Sequence, residues 1–246
     1  MLLSTIILAA QLSILSLAMP APISDSTSLP DIQGPNGLAN NEGLIQSLTL
    51  APTAKDRINL IPNDPDWVYD FNNPPENTIT TGKGGHTVRA DRDAFPALIG
   101  TGVSMTLGFL GPCGFNTPHT HPRSSEINVV VKGSLVAQFT LENGAHSVTN
   151  KLATNQMTVF PQGAVHTEFN PGCDDALFVA GFASEDPGVQ QVAQTFFGLN
   201  DDIVDAALGQ QDTIDGADLD KFRSIIPANV AEGVEKCLNQ CHISKR

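Results

Sequence analysis

The sequence predicts an all-β core with an extended N-terminal arm and C-terminal helices, and three observations point there. Short apolar, β-branched segments recur between residues 86 and 182, among them 129–131, 135–141, 157–160 and 176–182. Turn chemistry separates them: Lys132-Gly133, Asn143-Gly144, Pro161-Gln162-Gly163 and Pro171-Gly172. Such spacing of short strands indicates an antiparallel sandwich or barrel. After residue 201 the apolar period lengthens, with Val230, Val234, Cys237, Leu238 and Cys241 recurring at helical intervals, which predicts two or three helices appended to the β core.

The elements divide the chain in order. Residues 1–18 carry no charged side chain, and Ser16-Leu17-Ala18 places small residues where a signal peptidase cuts, ahead of Pro20 and Pro22. This segment reads as a secretory signal peptide, because the apolar run is shorter than the ~20 residues of a membrane span and has no flanking cations. Residues 19–77, rich in Pro, Asn, Asp, Ser and Gly, read as an arm. Within it, 41–60 can hold one short helix, and Asp66-Trp67-Val68-Tyr69-Asp70-Phe71 alternates as an edge strand would. Residues 78–200 form the β-barrel, and 201–246 the helical extension.

Composition narrows the function. Of 246 residues 41% are hydrophobic, which is too many for general disorder. With 13 Lys+Arg against 26 Asp+Glu the formal charge is -13, and the chain has no basic run, so neither nucleic acid nor an anionic membrane surface is an expected partner. No Asn-x-Ser/Thr acceptor for N-glycosylation occurs.

One segment carries chemistry: Gly114-Phe-Asn-Thr-Pro-His119-Thr-His121-Pro-Arg-Ser-Ser-Glu126. Residues i and i+2 of a strand share a face, so His119 and His121 can aim both imidazoles at one point. A hairpin through residues 122–125 returns Glu126 beside them, and His166 arrives directly after the Pro161-Gln162-Gly163 turn. Three imidazoles and one carboxylate suit manganese or iron, with coordination positions left for water or substrate. His86, His146 and His242 have no partner at ligand spacing and are expected to be exposed or structural.

The spacing His119-x-His121-x4-Glu126-x6-Gly133, followed by Pro161-x-Gly163-x2-His166-x3-Asn170, resembles the two motifs of the cupins. Gly102-Val103-Ser104-Met105, His119-Thr120-His121-Pro122-Arg123 and the region from Asp186-Pro187-Gly188 to Phe197-Gly198 resemble germins and germin-like proteins, and the 67–71 arm resembles the related spherulins. The likeness spans about residues 66–228. It implies a single jelly-roll β-barrel holding Mn2+ (or Fe2+) through His119, His121, Glu126 and His166. It also implies a homo-oligomer, trimer or hexamer, assembled through C-terminal helices, where Val230, Val234 and Leu238 offer a narrow apolar stripe. The alternative is that these helices fold back on their own barrel.

Two departures bear on activity. Cys113 and Asn155 stand where each cupin motif begins with glycine, and Asn tolerates positive φ. Oxalate-oxidising germins line the metal with two asparagines. Asn116 matches one, Thr106 stands at the other, and Glu168 follows the third histidine where an amide is common. Asn116 and Glu168 are therefore the catalytic candidates. An inward carboxylate repels an oxalate dianion, so superoxide is favoured over a small carboxylate as substrate. The leading role that the resemblance implies is a metal-binding coat, storage or wall-associated protein of weak or unknown activity, with manganese redox catalysis the alternative.

The four cysteines depart from germins, whose disulfide is N-terminal. Cys113 precedes His119 by six residues and Cys173 follows His166 by seven. If the histidines lie on neighbouring antiparallel strands, both offsets run the same way and a Cys113–Cys173 disulfide is expected. Cys237 and Cys241 then remain, and a bond between them, a frayed helix end and an inter-subunit link all stay open.

Overall fold

The computed structural model describes residues 36–39, 41–209, 216–227 and 229–244. The expected signal peptide lies outside these residues. In the arm, α1 (Glu42–Leu50) starts where the Asn41 side chain accepts from Leu44 N–H, and α2 (Ala54–Leu60) where Thr53 caps Asp56 N–H. The single helix expected over 41–60 is therefore two. Pro52 forces Ala51 into extended backbone at ψ 125°, and the chain restarts at the Thr53 cap. Leu48 and Ile61 close the arm against Ala97 and Ile99.

The edge strand expected over 66–71 is absent. Pro65 opens a 3-10 turn, Asp64–Trp67, and the following residues reach the barrel through side chains instead of a ladder. Tyr69 Oη donates to the Arg89 carbonyl at 2.9 Å, and its ring meets Phe71 and Phe95 with centroids 4.8 and 5.6 Å apart.

The core is an antiparallel jelly roll. Its strands are β1 (Ile79–Gly82), β2 (Gly85–Ala90), β3 (Ser104–Leu110), β4 (Gly114–Thr120), β5 (Glu126–Lys132) and β6 (Ser134–Thr140). They continue through β7 (Val148–Ala153), β8 (Met157–Phe160), β9 (Val165–Phe169), β10 (Ala176–Phe182) and the two-residue β11 (Gln190–Gln191). One sheet runs β1-β2-β3-β10-β5-β8 and the other β11-β4-β9-β6-β7. Alternation sets the interior: Val130 of β5, Leu135 and Ala137 of β6, and Ala176, Phe178, Ala180 and Phe182 of β10 are buried between the sheets. Cys113 and Asn155, in the motif-opening positions, hold φ 58° and 65°, the left-handed backbone that glycine would adopt there.

Beyond the barrel lie α3 (Val192–Phe197), α4 (Asp201–Ala207), α5 (Gly216–Ile225), β12 (Ala231–Glu232) and α6 (Glu235–Gln240). Among the described residues no helix is long and apolar enough to cross a membrane. The 230–241 stripe is not one helix: Val230 turns at φ 59° into β12, which pairs with β4, and only then does α6 begin. Val230 joins the barrel core, and Leu238 is buried with Cys113, Phe169 and Ile243. The apolar side chains proposed as an assembly stripe are thus largely consumed by their own barrel.

The cysteine pairing differs from the expectation. Cys113 bonds Cys237 and Cys173 bonds Cys241. The strand argument does bring Cys113 and Cys173 to one end, where Cys113 N–H reaches the Gly172 carbonyl at 3.2 Å. What it lacks is α6, which docks across that end with Cys237 and Cys241 one turn apart, so each helix sulfur meets a barrel sulfur.

Candidate metal centre

Local structure brings the four ligand candidates to one point between the sheets. His119 lies on β4 directly opposite His166 on β9, and His121 follows at the end of β4. Glu126 opens β5 in the facing sheet after the 122–125 turn. One ligand atom from each of the four lies within 4.8 Å of the others, and all four side chains are buried. Glu126 Oε2 stands 3.1 Å from His121 Nε2 and 3.2 Å from His166 Nε2. Phe160 stacks on His166, and Phe182 packs on His121.

Hydrogen bonds assign the tautomers. The Nδ1 atoms of His119, His121 and His166 contact the carbonyls of Thr117 (2.8 Å), Gly188 (2.5 Å) and Ala164 (2.9 Å). A carbonyl only accepts, so each Nδ1 carries the proton, and the neutral ring turns a bare Nε2 lone pair inward. Two such lone pairs face the Glu126 carboxylate at hydrogen-bond distance. Acceptors opposed in a dry site demand a proton or a cation between them. A divalent ion fits this donor set, which offers three nitrogens, one oxygen and an open side.

Without a cation between Nε2 and the Glu126 carboxylate, a proton on Nε2 takes its place, and the electrostatics of the metal-free site reflect that alternative. Burial, followed by the His166 and His121 charges, pushes the His119 imidazole down to about 3, so it stays a neutral donor. Burial opposes the Glu126 charge, yet the hydrogen bonds from His121 and His166 hold that carboxyl below the ordinary range. For His166 burial also opposes the charge, but the Glu126 hydrogen bond outweighs it and raises the imidazole above its ordinary value.

Asn116 and Glu168, paired across β4 and β9, border the cluster. The Asn116 amide nitrogen lies 3.5 Å from His119 Nε2. Glu168 is wholly buried, and burial followed by the Glu126 charge pushes its carboxyl up to about 8. Asn128 is a site residue that the sequence reading missed: its Nδ2 donates to Glu126 Oε1 at 3.1 Å and Glu168 Oε1 at 3.4 Å. The signal was available, since Asn128 is i+2 from Glu126 on one strand. Asn116 Oδ1, Asn128 Oδ1 and Glu168 Oε2 have no donor, and a proton on Glu168 turns one of these three acceptors into a donor.

This yields a pH prediction for the metal-free protein. Below the unfolded carboxyl value of 4.5 both states hold the Glu168 proton. As pH rises from there toward 8 the unfolded chain ionises first, so stability falls through that window. Glu168→Gln, which supplies an N–H at the same place, is expected to flatten the fall. Thermal unfolding of both proteins at several pH values in a chelator checks it, and parallel profiles would contradict it.

Thr80, Thr87, Ser104, Thr106 and Asn116 line a cavity of about 450 Å³ that opens beside His119 and His121, with Pro187, Gly188 and Val189 at its wall. Thr106 therefore borders the same cavity as His119 and His121. The remaining histidines do not: His86 stacks on Phe109 at 4.5 Å, and His146 and His242 are exposed.

Comparison with known proteins agrees with this geometry. The family profile described as Cupin matches residues 70–217. Spherulin-1A of Physarum polycephalum is 44% identical over 210 residues, 85% of this chain and 83% of that protein. Putative germin-like protein 2-2 of Oryza sativa subsp. japonica is 37% identical over 147 residues, 59% of this chain and 66% of the relative. Among solved structures, an oxalate oxidase superposes with TM-score 0.56 at 27% identity, covering 64% of this chain and 78% of that one. With the profile spanning more than half its length and spherulin-1A matched over most of both chains, the protein belongs to the cupin family and is homologous to the spherulins and germin-like proteins.

Proposed function

We propose that the protein is an exported, manganese-binding cupin that acts as a coat, storage or wall-associated protein. The observation that carries this reading is the buried His119–His121–Glu126–His166 cluster, whose bare Nε2 atoms face a carboxylate and call for a cation. Mixed nitrogen and oxygen donors with an open side favour Mn2+, with Fe2+ the alternative. Export is supported by the apolar leader and by two disulfides, which persist in oxidising compartments. Self-association is supported by the outer face of the first sheet, where Ile127, Val131, Met157 and Val159 are exposed.

A second reading, superoxide dismutation, is favoured by Glu168. Two superoxide ions and two protons give one dioxygen and one hydrogen peroxide, and the bound ion supplies the one-electron chemistry. The chain contributes a carboxyl that keeps its proton near neutrality and an Asn116 amide directed at the cluster. The cavity also tells against oxalate. Thr106 replaces an amide, and Arg89, which borders the cavity, is paired with Asp91 and Asp93.

Metal analysis of the exported protein, followed by superoxide and oxalate assays on the same sample, tests both readings. Stoichiometric manganese without turnover supports the holding role, and superoxide activity above oxalate activity supports the second. Thr106→Asn with Glu168→Gln is expected to raise oxalate turnover. Robust oxalate oxidation by the unaltered protein would overturn the ranking.

A further inference from the structure

One ligand candidate is held differently from the other two. His119 and His166 donate Nδ1–H to carbonyls two residues upstream, Thr117 on β4 and Ala164 just before β9, so each ring is oriented locally. His121 donates instead to Gly188, a residue 67 positions further along the chain. Its tautomer and the direction of its Nε2 therefore depend on where the 184–189 loop lies.

That loop is tied down by Arg123, two residues after His121. The Arg123 backbone N–H donates to the Pro187 carbonyl at 3.1 Å, while its side chain donates through Nε to the Asp186 carbonyl at 2.8 Å and through Nη2 to Asp186 Oδ1 at 2.6 Å. Gly188 holds φ 67°, and a Cβ there would lie 2.8 to 3.1 Å from the guanidinium atoms. The arginine fork thus lies against the one residue whose carbonyl orients His121, and a side chain there would displace it. The other end of the loop is fixed independently, with Glu185 accepting from Gly100 N–H at 2.7 Å and pairing with Arg92.

We infer that the Arg123 side chain is a positioning group for the metal centre: through Asp186 it sets the Gly188 carbonyl, and through that carbonyl the aim of His121. The inference rests on the metal-binding reading of the site. A purely structural role would act through folding stability, but the Arg123–Asp186 pair is 53% exposed on both sides and contributes little there. Losing the support of a metal-ligating imidazole costs about 10–100-fold in metal affinity.

The test uses the full chain, stripped of metal and titrated with Mn2+ while free ion is followed by electron paramagnetic resonance. Arg123→Ala is expected to raise the Mn2+ dissociation constant by about 10–100-fold, to change the spectrum of the bound ion, and to leave metal-free Tm near the wild-type value. Arg123→Lys keeps the charge but cannot span the Asp186 carbonyl and carboxylate together, so its affinity should stay well below wild type. Wild-type affinity and spectrum in Arg123→Ala would overturn the inference and leave metal binding intact. Full rescue by lysine, or a metal-free Tm that falls in step with affinity, would also overturn it. Failure of the unaltered protein to take Mn2+ would overturn the metal reading itself.

Discussion

Replacing His121 by alanine is expected to reduce bound metal from stoichiometric to background. Four groups meet at the site, and its far side is open cavity, so among the described residues no other imidazole stands near enough to substitute. The variant also leaves Glu126 Oε2 with one partner, His166, in place of two. A buried carboxylate that loses a partner disfavours its charged form, which weakens the remaining donor set as well. His86→Ala is the control, because His86 lies against Phe109, outside the cluster, and should keep its metal. Elemental analysis of both purified variants checks the pair. Full manganese occupancy in His121→Ala would remove that residue from the ligand set.

The ligand cluster was legible because each member obeys a local rule. His119 and His121 alternate on β4, Glu126 returns through a short turn, and His166 follows the Pro161-Gln162-Gly163 turn onto β9. Asn128 obeys the same period of two, yet it passes for a core-strand residue until its partners are visible. The dependence of His121 on Gly188 left no such trace. Its partner is a backbone carbonyl, which every residue possesses, brought close by tertiary packing. Other differences have similar causes. Alternation over 66–71 suggested a strand, but Pro65 and the Tyr69–Phe71–Phe95 contacts diverted it. The helical period over 230–241 mixed a core-filling Val230, a two-residue strand and α6. Periodicity records burial, and three different elements can bury side chains at the same intervals.

Removing the Cys113–Cys237 bond by double serine substitution is expected to destabilise the protein by about 4–5 kcal/mol, lowering Tm by roughly 10–15 °C. Because Cys173–Cys241 stays intact, the bond closes a loop of about 60 residues through that second link, still long enough for its loss to release much unfolded-state entropy. It also loosens the Cys237 side of α6, which then rests on Cys173–Cys241, on β12 paired with β4 and on Val230 in the core. Position 113 adds a second effect. Cys113 is fully buried and holds φ 58°, a conformation that costs a non-glycine residue about 1–2 kcal/mol. In the native chain that strain is offset by the disulfide; in the serine variant it remains with nothing against it. Cys113→Gly with Cys237→Ser should therefore be the more stable of the two double variants, by about 1 kcal/mol, although glycine removes more packing than serine. Denaturant unfolding of both variants measures the difference, and peptide mapping without reductant establishes the starting pairing. Equal stability of the serine and glycine variants would mean that the left-handed backbone at position 113 carries no net strain. A map linking Cys113 to Cys173 would restore the strand-only argument and remove α6 as the clasp.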